Sequence, residues 1–260
     1  MPGKIGPLLG QGRTAEVFEW DSSQVIKLFR AGFESSAERE LEAAKAARTL
    51  GANTPAVHDL VRIDGRVGVL FERAAGRSLM TKLSQNPWLL RASTRRMAAA
   101  HLAIHRLQAP SLPRLIEQLQ RLVASAHGLT VPQRTRALAQ LAELPDGNSL
   151  CHGDFHPGNL LEAGKDLTII DWSTAGRGHP LVDVAVTTIM MRFAQPPAET
   201  PWALRQLIRI LRQRLTSDYL AAYGLTASDQ ARLNTWTFAL AAARLGRAVD
   251  AERDSLLRAL

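Results

Sequence analysis

The sequence predicts an α+β chain in two lobes, a small β-rich N-terminal lobe over residues 1–75 and a larger, mainly helical lobe over residues 76–260. Three observations carry that expectation. Before residue 72, short apolar runs alternate with turn-forming residues. After Gly76, apolar residues recur at helical spacing over long segments. Within the helical half, one β-like insertion lies around residues 150–171.

The elements follow in order. Runs over 4–9, 15–20 and 24–29 read as strands, separated by Gly10-Gln11-Gly12 and Asp21-Ser22-Ser23. Residues 34–50 are rich in Ala, Glu and Lys and read as a helix with Gly51 as its stop. Strands over 57–63 and 66–72 flank Asp64-Gly65, a hairpin signal. A short connection near residues 72–77 leads to helices over 91–107, 113–126, 133–144, 202–223 and 228–249. In the fourth of these, Leu204, Leu207, Leu211 and Leu215 share one face. A cleft between the lobes is the expected ligand site.

Composition narrows the function classes. The chain is 46% hydrophobic and 22% charged, ordinary for a soluble globular protein. The N-terminus lacks a signal peptide's basic start and apolar core, and no window is long and apolar enough to span a membrane. The single cysteine, Cys151, rules out an intramolecular disulfide and fits a reducing cytoplasm. Its apolar flank, Ser149-Leu150, reads as a buried strand rather than a nucleophile's setting. The net charge of +8 is spread over helical segments, including Arg91, Arg95, Arg96 and Arg205, Arg209, Arg212, Arg214. That pattern reads as solvated helix faces and argues against nucleic acid as a partner.

The chemistry concentrates in Cys151-His152-Gly153-Asp154-Phe155-His156-Pro157-Gly158-Asn159, followed by Ile169-Ile170-Asp171-Trp172. Pro157 keeps the first segment from starting a helix. The pattern predicts that Leu160-Leu161 and the run ending at Asp171 pair across Ala163-Gly164-Lys165-Asp166, which brings Asn159 and Asp171 together at the open end of a hairpin. Two oxygen ligands plus nucleotide phosphates suit Mg²⁺, which keeps waters and takes few protein ligands. One carboxylate for a proton, with an Asn and a second carboxylate for a metal, is the set that phosphoryl transfer needs.

Other residues read two ways. Gly10 and Gly12 lie in a turn that either lets backbone N–H groups approach phosphate or is an ordinary hairpin, and it is not a Walker A loop. Lys27, in Val25-Ile26-Lys27-Leu28-Phe29, is either on the solvent face or inward. An inward Lys requires an anionic partner, and Glu38, Glu40 and Glu42 are available on the next helix. Asp183 reads as structural, a first-turn charge or an acceptor for loop amides. His101 and His105 have metal-ligand spacing but no evident third ligand, and read as core or polar-network residues.

Together these motifs resemble the aminoglycoside phosphotransferase family, which includes choline, thiamine, homoserine and fructosamine kinases. The resemblance runs along nearly the whole chain. It rests on Leu9 to Val17, Val25-Ile26-Lys27-Leu28, Phe71-Glu72-Arg73-Ala74-Ala75-Gly76, the His152-Gly153-Asp154, Asn159 and Asp171 set, and Leu181-Val182-Asp183-Val184-Ala185. It implies a protein-kinase-like fold and transfer of the ATP γ-phosphate to the hydroxyl of a small-molecule acceptor. By position it implies Asp154 as catalytic base, Asn159 and Asp171 as Mg²⁺ ligands, and Gly10 and Gly12 in the phosphate loop. Lys27 then holds phosphates, with Glu40 as its best-matched partner ahead of Glu42, and the backbone of Glu72 and Ala74 meets adenine. Asp183 would brace the catalytic loop. The chain departs from the family's antibiotic kinases in being basic, with Arg244, Arg247, Arg253 and Arg258 near its end, and a basic field disfavours a polycationic acceptor. A protein kinase is a poorer match because residues 171–183 leave little room for an activation segment. A nucleotide-binding module without transfer activity is argued against by the intact Lys-Asp-Asn-Asp set.

Overall fold

The computed structural model describes residues 5–193, 200–248, 250–258 and 260. Its N-terminal part is one antiparallel sheet with a helix on it. The elements are β1 (Leu8–Gln11), β2 (Ala15–Glu19), β3 (Gln24–Phe29), α1 (Glu34–Thr49), β4 (Val57–Ile63) and β5 (Arg66–Glu72), with strand order β1-β2-β3-β5-β4. Central β3 pairs with β2 and β5, so Lys27 lies opposite Val17 on one side and Val69 on the other.

α1 explains its own orientation. Ala37, Ala44 and Ala47 are fully buried, and Glu40 falls in the same stripe by helical spacing, while Glu42 turns outward and is exposed. The helix stops where Gly51 takes φ of 96°, a left-handed conformation that glycine adopts without steric cost.

The C-terminal part is mainly helical. β6 (Arg77–Ser78) leads into α2 (Leu79–Gln85), whose first turn is capped by the Ser78 hydroxyl accepting from Thr81 N at 3.1 Å. A single 3-10 turn precedes α3 (Leu90–His105), α4 (Leu115–Ser125) and α5 (Val131–Ala142). The β insertion comprises β7 (Ser149–Cys151), a 3-10 turn at Pro157–Asn159, β8 (Leu160–Ala163), β9 (Asp166–Ile169) and β10 (Gly176–Gly178). Then come α6 (Pro180–Phe193), α7 (Trp202–Tyr223), α8 (Ala227–Leu245) and α9 (Asp250–Leu257). One continuous apolar core links α2 through α8 and reaches the alanines of α1.

Three expectations are corrected. The first strand is shifted from 4–9 to β1, so Gly10 lies inside a strand with a bulge between Leu8 and Gly10, and the turn begins at Gly12. Pro7 has no N–H for a ladder, which favours the later start; Lys4 lies outside the described residues. The apolar face of α7 is only partly buried. Leu215 is covered, yet Leu207 is 51% exposed, because α7 meets α3 through its later turns, where Tyr219 and Tyr223 reach His101 and His105. The side chain of Leu204 lies outside the described residues, as does Val249 at the end of the expected last helix. That helix stops at Leu245, and the segment beyond forms α9.

Candidate active site

The β8–β9 hairpin pairs Leu160 with Ile169 and Ala163 with Asp166, leaving a two-residue turn at Gly164-Lys165. At its open end, Ile170 N donates to the Asn159 carbonyl at 3.0 Å, which sets Asn159 beside Asp171. Asn159 Nδ2 donates to the Asp154 carbonyl at 2.9 Å, so its amide oxygen is available as a ligand. The Asp154 carboxylate is partly exposed and lies 3.8 Å from His156 Nε2.

Asp171 takes φ of 66°, a left-handed conformation that costs a non-glycine residue about 1–3 kcal/mol and is held only when its surroundings demand it. Two contacts supply that demand. Lys27 Nζ sits 2.9 Å from Asp171 Oδ1, and Ser173 Oγ donates to the same oxygen at 2.8 Å. Lys27 also lies 2.7 Å from Glu40 Oε2. Burial opposes charge on all three groups. For Lys27, Asp171 and Glu40 outweigh it and hold the ammonium above its ordinary range. For Asp171, Lys27 and the Ser173 hydroxyl outweigh burial, and the carboxyl is held below its usual range. For Glu40 burial prevails, and the carboxyl is pushed up to about 7.

Behind this triangle stands a buried polar network. Asp183, fully buried in the first turn of α6, accepts from His152 N at 2.6 Å and Gly153 N at 2.9 Å. His101 Nε2 and His105 Nε2 meet the same carboxylate at 3.1 and 3.2 Å, while their Nδ1 atoms meet Tyr219 and Tyr223 hydroxyls at 2.6 and 2.7 Å. Asp183 therefore supplies the third group that sequence spacing did not reveal beside the two histidines. Each ring nitrogen already has a partner. Neutral rings that donate through Nε2 and accept from tyrosine satisfy every atom, so the cluster is a hydrogen-bonded brace. Burial and neighbouring His105 push His101 down to about 3, and burial pushes the Cys151 thiol up, as an inert strand cysteine requires.

The nine residues that the family resemblance assigned to catalysis, nucleotide or metal all line one cleft of about 2240 Å³. Gly10, Gly12 and Lys27 of the sheet and Glu40 of α1 line one side, Glu72 and Ala74 lie at the connection, and Asp154, Asn159 and Asp171 come from the catalytic segment. Glu72 Oε2 accepts from Ala56 N at 3.1 Å, which fixes the start of the connection. Sequence reasoning missed Ser173, whose only signal is a hydroxyl two residues beyond Asp171, and it counted Arg212, Arg244 and Arg247 as general positive charge without placing them in the cleft, which they line.

A β-rich part and a helical part meeting at such a cleft define a kinase-like fold, and solved structures share it. An aminoglycoside-3'-phosphotransferase of type VIII superposes with a TM-score of 0.63 at 17% identity, covering 95% of this chain and 94% of the other. A choline/ethanolamine kinase family protein from Mesorhizobium loti gives 0.63 at 18%, covering 98% and 86%. Aminoglycoside phosphotransferase APH(3'')-Id from Streptomyces rimosus, solved with ADP and streptomycin, gives 0.59 at 20%, covering 88% and 90%. No curated protein sequence matches the chain. The phosphotransferase enzyme family model matches residues 8–233, and the chain belongs to that family.

Proposed function

We propose that this protein transfers the γ-phosphoryl group of ATP to a hydroxyl of a small molecule. The observation that carries this reading is the bridge from Lys27 to both Glu40 and Asp171, in a cleft that also holds Asp154 and Asn159. Lys27 then positions phosphates, Gly10 and Gly12 bring backbone close to them, and the Glu72–Ala74 backbone meets the base. Asn159 and Asp171 offer the hard oxygen atoms that suit Mg²⁺, which would neutralise charge on the phosphates when bound. Asp154 accepts the acceptor's hydroxyl proton as the new P–O bond forms and the bond from γ-phosphorus to the bridging oxygen breaks, releasing ADP. We place the boundary between nucleotide lobe and catalytic lobe at 75/76 and the protein in the cytoplasm. Among the described residues, no helix is long and apolar enough to cross a membrane.

The test is Mg²⁺-dependent ADP formation across hydroxylated acceptors, with Asp154→Ala beside wild type. Turnover should fall by orders of magnitude while nucleotide binding survives. Equal turnover by the variant would remove Asp154 from the reaction.

A further inference from the structure

Beyond the nucleotide end, the cleft is walled by α4, α6, α7 and the turn after α8. Among the described residues of that wall, none is a carboxylate. The acidic side chains lining the cleft are Glu40, Glu72, Asp154 and Asp171, all already on the sheet side, the connection or the catalytic segment. The far wall instead presents Arg121, Arg212, Arg244 and Arg247.

These arginines are not equivalent. Arg244 is held by buried Glu252 through two hydrogen bonds of 3.1 and 3.0 Å, an internal brace between α8 and α9. Arg212 is half-buried and feels Glu252 only as a distant charge. Arg247 is half-buried, and its guanidinium makes no hydrogen bond or ion pair with the described residues. Asp154 and Asp171 attract its charge while Arg13 of the glycine loop and Arg244 repel it, and all four line the same cleft. Burial works against its charge, as it does for Arg212. A half-buried guanidinium with no contact ion pair is costly, and an anionic ligand group at contact distance offsets that cost.

Arg247 is also held in place. A Cβ on Gly246 would run into the Leu122 carbonyl of α4, so the turn lies flat against that helix. Within it, Arg247 N donates to Arg244 O at 2.9 Å. Residues 244 to 247 lie beyond the span that the family model matches.

Resting on the kinase reading above, we infer that the acceptor is anionic: an alcohol carrying a carboxylate or phosphate group, bound by Arg247 with Arg212 in support, its hydroxyl directed to Asp154. A planar guanidinium suits both oxyanions through paired N–H···O bonds. A polycationic acceptor would meet like charge on this wall and no acidic side chain to offset it.

Two measurements test this. First, inorganic sulfate is titrated into protein saturated with Mg²⁺ and AMP-PNP, so that the nucleotide site is filled. Wild type should bind sulfate, and Arg247→Ala should bind it at least about tenfold more weakly, with Arg247→Lys in between. Absence of sulfate binding, or equal binding by wild type and Arg247→Ala, overturns the proposal. Second, glycerate, glycerol 3-phosphate, glycerol and choline are compared as phosphoryl acceptors. They share a primary alcohol and differ in charge. The anionic pair should have the higher kcat/KM, and Arg247→Ala should raise their KM while leaving the KM for ATP unchanged. Preference for choline or glycerol overturns the proposal, as does a loss confined to the KM for ATP. Thermal midpoints of the variants separate binding defects from misfolding. Failure of AMP-PNP to bind would sink the kinase reading instead, while sulfate titration of nucleotide-free protein would still read the Arg247 site.

Discussion

His152 Nε2 lies 3.1 Å from the Ile170 carbonyl, which ties the segment entering Asp154 to the strand end that delivers Asp171. The His152 ring is fully buried, tilted on Trp172 at 4.8 Å and edge-on to Phe155 at 5.8 Å. This side chain thus adds a second tie to the one that Asn159 makes between the same two segments. His152→Ala should lower kcat by about 10- to 100-fold, the range that lost positioning produces, with a smaller effect on nucleotide affinity. Steady-state kinetics beside AMP-PNP titration will show the split; an unchanged kcat would deny His152 that role.

Lys27 sustains charge in a place that Glu40 alone could not occupy as an anion. Glu40 is 1% exposed, so Lys27→Met strands a buried carboxylate, at a cost of about 3–5 kcal/mol. Urea unfolding should show that loss, and adding Glu40→Leu should return part of it. If the double variant is as unstable as Lys27→Met, the two residues are not coupled.

Acid should weaken the protein well before its surface carboxylates protonate. His101 has a folded pKa of about 3 against an ordinary value of 6.5, because burial and His105 disfavour its charge. Its contribution is therefore full above pH 6.5 and is lost as pH falls from there toward 3, by up to about 1.4 kcal/mol per pH unit. Burial lowers His152 as well, in the same direction. Unfolding midpoints at pH 7, 6 and 5 should decline, and His101→Gln should flatten the decline. A flat profile over that range in wild type would contradict the neutral-histidine network.

Gly153 takes φ of 72°, and a Cβ there would collide with the Thr174 carbonyl. Gly153→Ala should therefore shift Asp154 and abolish most turnover, with destabilisation of about 1–3 kcal/mol. A crystal structure of the variant with the Asp154 carboxylate unmoved, together with full activity, would refute the argument.

Much of this cleft could be read from the chain because its residues sit at element ends that local rules define. Lys27 is the one charge in an apolar strand, Glu40 shares the alanine stripe of α1, and the β8–β9 hairpin delivers Asn159 and Asp171 by simple pairing. The rest depends on contacts between distant segments. β6 is two residues long and exists through its pairing with β8. Asp183 gathers groups from α3 and the catalytic segment, which no periodicity links. Arg247 reads as surface charge until Gly246 is seen pressed on α4.

Trp172 follows Asp171 directly, and its indole N–H donates to Thr54 Oγ1 at 2.9 Å in a dry setting. Trp88 and Trp202, by contrast, are each 76% exposed. The protein therefore carries its own optical reporter. Iodide should quench the two exposed indoles and leave a blue-shifted emission from Trp172 and the half-buried Trp20 and Trp236, and the part of it lost in Trp172→Phe then follows ligand-induced movement at Asp171 in unlabelled protein.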